Sequence, residues 1–328
     1  MTCFRIGARS RPFLLGALCS MGFLLVCIAL EAQRRGPPRR LENPVDLTLP
    51  NKSRMEFRSF PSSALGMNAD YSVLLPPSYD EESDRRFPIV YFLHGLNNDH
   101  TSWATPRYGD LPARIDLLMS QGKLPHFVMV HPDGQNSLYT DSPDGTGNYE
   151  TYIRNDLLQA IQGRYRVRTD AGGRAIGGVS MGAYGALKIA MKHPGLYASA
   201  AGVSPIVFLG EDPFEVLRSN PSRSSTYFLR LVEKAFGDPM DQDYWKQNSL
   251  EELARSASLA GLNLYFSYGT ADRYNRRFPM EHGIKSLARI LDQRGVSHQC
   301  MIFEGEPHGW ELVAAHLEET LAFLTQTF

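Results

Sequence analysis

The chain has 328 residues, long for one domain but within the range of a single α/β domain. Apolar residues make up 43% and charged residues 21%, a mix that builds a core and excludes a wholly disordered chain. The 34 basic and 35 acidic side chains leave a formal net charge of −1, so there is no overall basic excess to bind nucleic acid, and no nucleic-acid partner is expected.

The first residues read as a targeting segment. Arg5, Arg9 and Arg11 precede an apolar run from Phe13 to Leu30, a basic region followed by a hydrophobic one. Ala32 suits the last position before a cleavage site, whereas Leu30 is bulky two positions earlier. The run also touches the lower length of a membrane span, so an uncleaved anchor over residues 13–30 is the alternative. Residues 1–32 are therefore assigned to a signal peptide or membrane anchor, and the protein to the periplasm or the exterior. The cysteines are Cys3, Cys19, Cys27 and Cys300, in no disulfide or metal-binding spacing. Cleavage would leave only Cys300, and then no intrachain disulfide. Residues 33–52, rich in Pro, Arg and Asn, read as a linker.

The main domain is expected over residues 53–328. Residues 55–60 and 69–75 read as two strands around a turn containing Gly66. The run Phe87–Leu93 is continuously apolar, as a strand buried on both faces must be, and Phe127–Val130 repeats that pattern. A helix is predicted over Tyr149–Tyr165, with Asn148 as its cap. A strand over Arg174–Val179 and a helix over Met181–Lys192 follow, the helix stopped by His193-Pro194-Gly195. Strands at 198–203 and 262–268, a helix near Arg277–Arg294, a strand at Gln299–Phe303 and a helix over Trp310–Leu324 complete the pattern. This alternation predicts a mainly parallel sheet with helices on both faces, the first two strands forming an antiparallel edge. Residues 205–260 interrupt the rhythm and read as a helical insertion, part of a lid or a pocket wall.

Gly178-Val179-Ser180-Met181-Gly182 is a G-x-S-x-G sequence set between a strand and a helix. A serine hydroxyl is a weak nucleophile and must be presented openly beside a base. A sharp strand-to-helix turn does this, and the helix N-terminus favours developing negative charge. Negative charge on a carbonyl oxygen asks for two backbone donors. Met181 follows the serine, and Leu96 lies in the loop His94-Gly95-Leu96 after an earlier strand, so these N–H groups are the candidates. His94 is expected to hold that loop by hydrogen bonds.

The partners should follow in the order acid, then histidine. His193, His282 and His316 fall in or at the ends of helices, and His298 borders the last strand on the wrong side. His308 lies in the loop after that strand, where sites of open α/β sheets form. A histidine there can act as general base, and the rate should fall in acid as its ring protonates. Asp272 closes the preceding strand in Tyr268-Gly269-Thr270-Ala271-Asp272 and is the candidate acid. Its rivals are Glu304, Glu306, Asp238, Asp241 and Asp243. Trp103, Tyr108, Tyr184, Trp245 and Trp310 could line an aryl or sugar pocket or simply fill the core.

These segments resemble the "Putative esterase" family of α/β-hydrolases, which includes S-formylglutathione hydrolases (esterase D), tributyrin and feruloyl esterases and mycolyltransferases. The likeness rests on HGL at 94–96, ETYIRNDLLQAI at 150–161, GGVSMGAYGALKIAMKHPGLYASAAGVS at 177–204, FGDP at 236–239, YGTAD at 268–272 and HGW at 308–310. It implies an α/β-hydrolase fold and a serine carboxylic-ester hydrolase with Ser180, Asp272 and His308 as triad, Leu96 and Met181 as oxyanion donors, and neither cofactor nor metal. The expected partner is a small ester. The chain departs from many members at Ala183 and at Ser204-Pro205. Two other readings use the same residues: an acyltransferase with an alcohol or sugar acceptor, and a non-catalytic binding protein. Hydrolysis of a glutathione thioester fits an exported protein less well.

Overall fold

The computed structural model describes residues 3–7, 41, 44–208, 210, 215, 218, 223–276 and 278–328. The apolar segment 13–30 and the first part of the expected linker lie outside them. Among the described residues no helix is long and apolar enough to cross a membrane.

Ten strands form one sheet: β1 (Phe4–Ile6), β2 (Leu47–Thr48), β3 (Arg54–Ser62), β4 (Met67–Leu75), β5 (Ile89–Leu93), β6 (Val128–Pro132), β7 (Arg174–Val179), β8 (Ser199–Val203), β9 (Asn263–Gly269) and β10 (His298–Phe303). Their order is β1-β10-β9-β8-β7-β5-β6-β4-β3-β2. From β6 to β1 every neighbouring pair is parallel, while β4 and β3 form the antiparallel edge predicted from their lack of an intervening helix, extended by β2.

Among the described residues the α-helices of six residues or more are α1 (Leu111–Ser120), α2 (Leu158–Arg164), α3 (Met181–Lys192), α4 (Arg223–Phe236), α5 (Gln242–Asn248), α6 (Leu250–Ser256), α7 (Met280–Gln293), α8 (Trp310–Ala315) and α9 (Leu317–Leu324). Successive residues of a strand point to opposite faces. Ile89, Tyr91 and Leu93 of β5 therefore join the core under α3 and α7, and Val90 and Phe92 join the core under α1, α8 and α9. Burial on both faces is why β5 reads as an unbroken apolar run. Helices on both faces and a mostly parallel sheet make this the α/β-hydrolase class.

Several elements differ from expectation. The predicted helix at 149–165 carries a π-helical stretch, Tyr152–Leu157, ahead of α2. The last helix is divided at His316, whose ring stacks on Phe303 at 3.5 Å. Helix α1 was not anticipated, although the Asp110 side chain caps it by accepting from the N–H of Ala113, with proline in its first turn. In the interval 205–260, α5 and α6 pack in the helical layer against α3 and α7 rather than over the sheet. Helix α4 approaches the loop at 94–98, where the Tyr227 hydroxyl meets Asn97 Oδ1 at 3.1 Å. With the loop 135–142, α4 lines a cavity of about 160 Å³.

Residues 4–6, expected within a targeting segment, form β1 and pair in parallel with β10, with Phe4 opposite Met301. That register sets Cys3 beside Cys300, and the two form a disulfide across 297 positions. The expectation of no disulfide framework came from sequence spacing, which carries no trace of a pairing made by strand addition. Leu47–Thr48, expected in the linker, likewise joins the sheet as β2.

Candidate active site

Strands β7, β9 and β10 run parallel, so their carboxyl ends open on one edge of the sheet. Ser180, Asp272 and His308 follow those three ends, and the topology gathers residues that are 92 and 36 positions apart in sequence.

Ser180 caps α3 with φ 56° and ψ −114°, a conformation that costs a non-glycine residue of order 1–3 kcal/mol. Two backbone bonds hold it: its N–H donates to the Val203 carbonyl at 2.8 Å, and its carbonyl accepts from the Tyr184 N–H at 3.0 Å. The flanking glycines are steric necessities. A Cβ on Gly178 would lie 2.3 Å from the Gly182 carbonyl oxygen, and one on Gly182 would lie 2.1 Å from that of Leu93. The turn therefore closes only with glycine at both positions.

His308 Nε2 stands 2.9 Å from Ser180 Oγ, and its Nδ1 stands 2.5 Å from Asp272 Oδ2. The Asp272 side chain is wholly buried and that of His308 nearly so, at 0% and 7% exposure. With Nδ1–H donating to the carboxylate, Nε2 is left free to accept the serine proton. The second carboxylate oxygen of Asp272 accepts from the Tyr274 N–H at 2.8 Å, and the Tyr274 ring meets the imidazole edge-on at 4.6 Å.

The loops bearing the acid and the histidine are stitched together. The Ala271 N–H donates to the Glu306 carbonyl at 3.0 Å, and the Gly305 N–H to Thr270 Oγ1 at 2.9 Å. The rival acids have other contacts or none to the histidine. The Glu304 carboxylate accepts from the Thr270 hydroxyl and pairs with Arg5. Asp241 caps α5. None of the five rivals has a hydrogen bond or ion pair to His308 among the described residues.

The other histidines are occupied elsewhere. His193 pairs with Glu150 at 2.8 Å, and His298 stacks on Phe266. His282 lies within α7. His94 holds its loop as expected: its Nε2 accepts from the Gly134 N–H at 2.9 Å, which leaves Nδ1–H to donate to the Gly95 carbonyl at 2.8 Å.

Gly95 lies against the serine, since a Cβ built there would be 3.4 Å from Ser180 Cβ. The next N–H is that of Leu96. Met181 is the first residue of α3. Among the described residues, no hydrogen bond engages the N–H of either Leu96 or Met181. Leu96 follows the glycine that packs against the serine and Met181 follows the serine itself, so these two N–H groups remain the candidates to stabilise an oxyanion.

Sequence reasoning overlooked Tyr274 and Asn98. Tyr274 follows the acid by two positions, the spacing at which a backbone N–H folds back onto a carboxylate. Asn98 accepts from the Trp310 indole at 2.8 Å and so ties the loop at 94–98 to α8. The five aromatics proposed for a pocket or the core are core residues, each 8% exposed or less. Among the described residues no group of three or more His, Cys, Asp or Glu is placed to hold a metal ion.

Comparison with known proteins agrees with this architecture. The family model described as "Putative esterase" matches residues 62–324. An esterase of Mycobacterium tuberculosis is 35% identical over 166 residues, which cover 49% of this chain and 34% of that protein. The chain thus spans about a third of the length of the curated relatives it matches. Among solved structures, a ferulic acid esterase superposes with a TM-score of 0.69 at 23% identity, covering 84% of this chain and 98% of the other. An S-formylglutathione hydrolase from Agrobacterium tumefaciens gives 0.67 at 17% identity, covering 86% and 98%.

Proposed function

This chain belongs to the "Putative esterase" family, and we propose that it is a serine carboxylic-ester hydrolase working through an acyl-enzyme on Ser180. The observation that carries this reading is the continuous contact from Asp272 through His308 to Ser180 Oγ.

In the first half-reaction Ser180 Oγ attacks the ester carbonyl carbon while His308 Nε2 takes the hydroxyl proton. The carbonyl oxygen becomes an oxyanion, held by the N–H groups of Leu96 and Met181. Asp272 stabilises the imidazolium and keeps its tautomer fixed. As the tetrahedral intermediate collapses, the alcohol leaves with the proton from His308, and the acyl group stays on Ser180. A water molecule then repeats the sequence, His308 again acting as base, and releases the acid. These steps are supported by the geometry and by the family, and they need only groups on this chain.

Ser180→Ala tests the reading. The variant should fold normally and lose turnover of p-nitrophenyl butyrate; a rate close to wild type would place the chemistry elsewhere.

A further inference from the structure

The segment between β6 and the helix at 149 passes behind the oxyanion loop. Its residues Leu138 and Tyr139 have φ of 54° and 50°, a region non-glycine residues seldom occupy. Tyr139 is fully buried, and its packing depends on two absent side chains. A Cβ on Gly134 would lie 2.2 Å from its ring, and one on Gly185 of α3 would lie 2.7 Å from its Cβ.

Lys188 of α3 holds this turn from behind. Its Nζ donates to the Tyr139 carbonyl at 2.7 Å and to Thr140 Oγ1 at 2.9 Å. The ammonium has no exposure, and Glu150 matches its charge at 2.8 Å. A buried ammonium is costly unless paired and hydrogen-bonded, so its placement under a strained turn is a constraint on that turn.

At the front, Tyr139 faces the oxyanion loop. Its hydroxyl donates to the His94 carbonyl at 3.3 Å. The Gly134 N–H holds the His94 ring at 2.9 Å, and that ring in turn holds the Gly95 carbonyl. The two grips fall on consecutive peptides: the Tyr139 hydroxyl holds the carbonyl of the His94–Gly95 peptide, and the His94 ring holds the carbonyl of the Gly95–Leu96 peptide, the one that carries the Leu96 N–H.

We propose that Tyr139 is a positioning residue for the oxyanion hole, anchored in its strained conformation by the buried Lys188–Glu150 pair. The proposal rests on the esterase reading. Tyr139 acts on the transition state alone, because it orients the peptide leading to a donor that grips developing charge. Its hydroxyl therefore affects kcat and leaves ground-state binding alone.

The test uses Tyr139→Phe and Lys188→Met, each with p-nitrophenyl butyrate and with an alkylboronic acid, which forms a tetrahedral adduct with an active serine. Both variants should lower kcat roughly tenfold, less than the 10²–10³ that follows removal of an oxyanion donor. KM should stay within about twofold and boronic acid affinity should weaken in step with kcat, the pattern of an interaction made only in the transition state. Folded variants with wild-type kcat and boronic acid affinity overturn the proposal. Loss of the fold in both variants overturns it too, by making these residues general scaffold. A wild-type protein that neither hydrolyses the ester nor binds the boronic acid defeats the esterase reading, and the proposal with it.

Discussion

Tyr274 and His308 divide the Asp272 carboxylate between them: the Tyr274 N–H takes Oδ1 at 2.8 Å and His308 Nδ1 takes Oδ2 at 2.5 Å. The carboxylate cannot rotate without losing one of these bonds, so the imidazole is fixed both in tautomer and in direction.

Asp272→Asn keeps the shape of that arrangement and removes its charge. An amide NH₂ facing Nδ1 would favour the tautomer whose proton sits on Nε2, and Nε2 could then no longer accept from Ser180. Loss of the acid in this geometry lowers kcat by about 10⁴ in well-studied triads. The expected result is a fall of about 10³–10⁴ in kcat for p-nitrophenyl butyrate, with little change in melting temperature. A loss below tenfold would show that Asp272 is not the orienting acid.

The Glu150–Lys188 pair predicts a stability effect separate from catalysis. Burial alone would raise the Glu150 carboxyl, but Lys188, His193 and Lys192 outweigh it and hold the group far below the usual carboxylate range. In the unfolded chain the same group takes up a proton near about pH 4.3. Its contribution is therefore complete above that pH and shrinks as the pH falls below it towards the folded value. Glu150→Gln leaves the buried Lys188 ammonium unpaired and should cost about 3–5 kcal/mol at pH 7. Denaturant unfolding of both proteins from pH 7 to pH 3 should show the gap between them narrowing in acid. A constant gap would mean that Glu150 is not held ionised by its neighbours.

The N-terminal strand makes a covalent prediction. The pairing of Cys3 with Cys300 needs both residues on the same side of any membrane, in an oxidising compartment, with the first residues retained. Peptide mapping without reductant should recover a linked peptide containing both cysteines, and Cys300→Ser should abolish it. A chain that begins after residue 30, with Cys300 free, would show that β1 is absent from the mature domain.

The sequence order of chemistry-bearing loops pointed to the three residues that the structure brings together, Ser180, Asp272 and His308. Ser180 is announced by glycines that sterics demand, and Asp272 and His308 each lie in the loop that follows a strand, β9 and β10. Central strands were legible because burial on both faces leaves unbroken apolar runs, and β7 and α3 have the bounds read from the sequence, Arg174–Val179 and Met181–Lys192. What could not be read depends on contacts between distant segments. The Lys188–Glu150 pair is 38 positions apart and looks, in sequence, like two ordinary charges on solvated helices. Trp103 and Trp245 could as well have lined a pocket; only their packing, at 1% exposure each, makes them core. Strand β1 is three residues long, too short for periodicity to reveal.

The central claim is that Ser180 is a nucleophile activated by His308, and covalent labelling reads it most directly. A fluorophosphonate probe reacts with a serine only when a base activates it and an oxyanion site receives the phosphoryl oxygen. The account predicts stoichiometric labelling of the wild-type protein, mapped to the peptide containing Ser180, and none in Ser180→Ala or His308→Ala. Labelling that persists in Ser180→Ala, or a folded wild-type protein that takes up no probe, would contradict it.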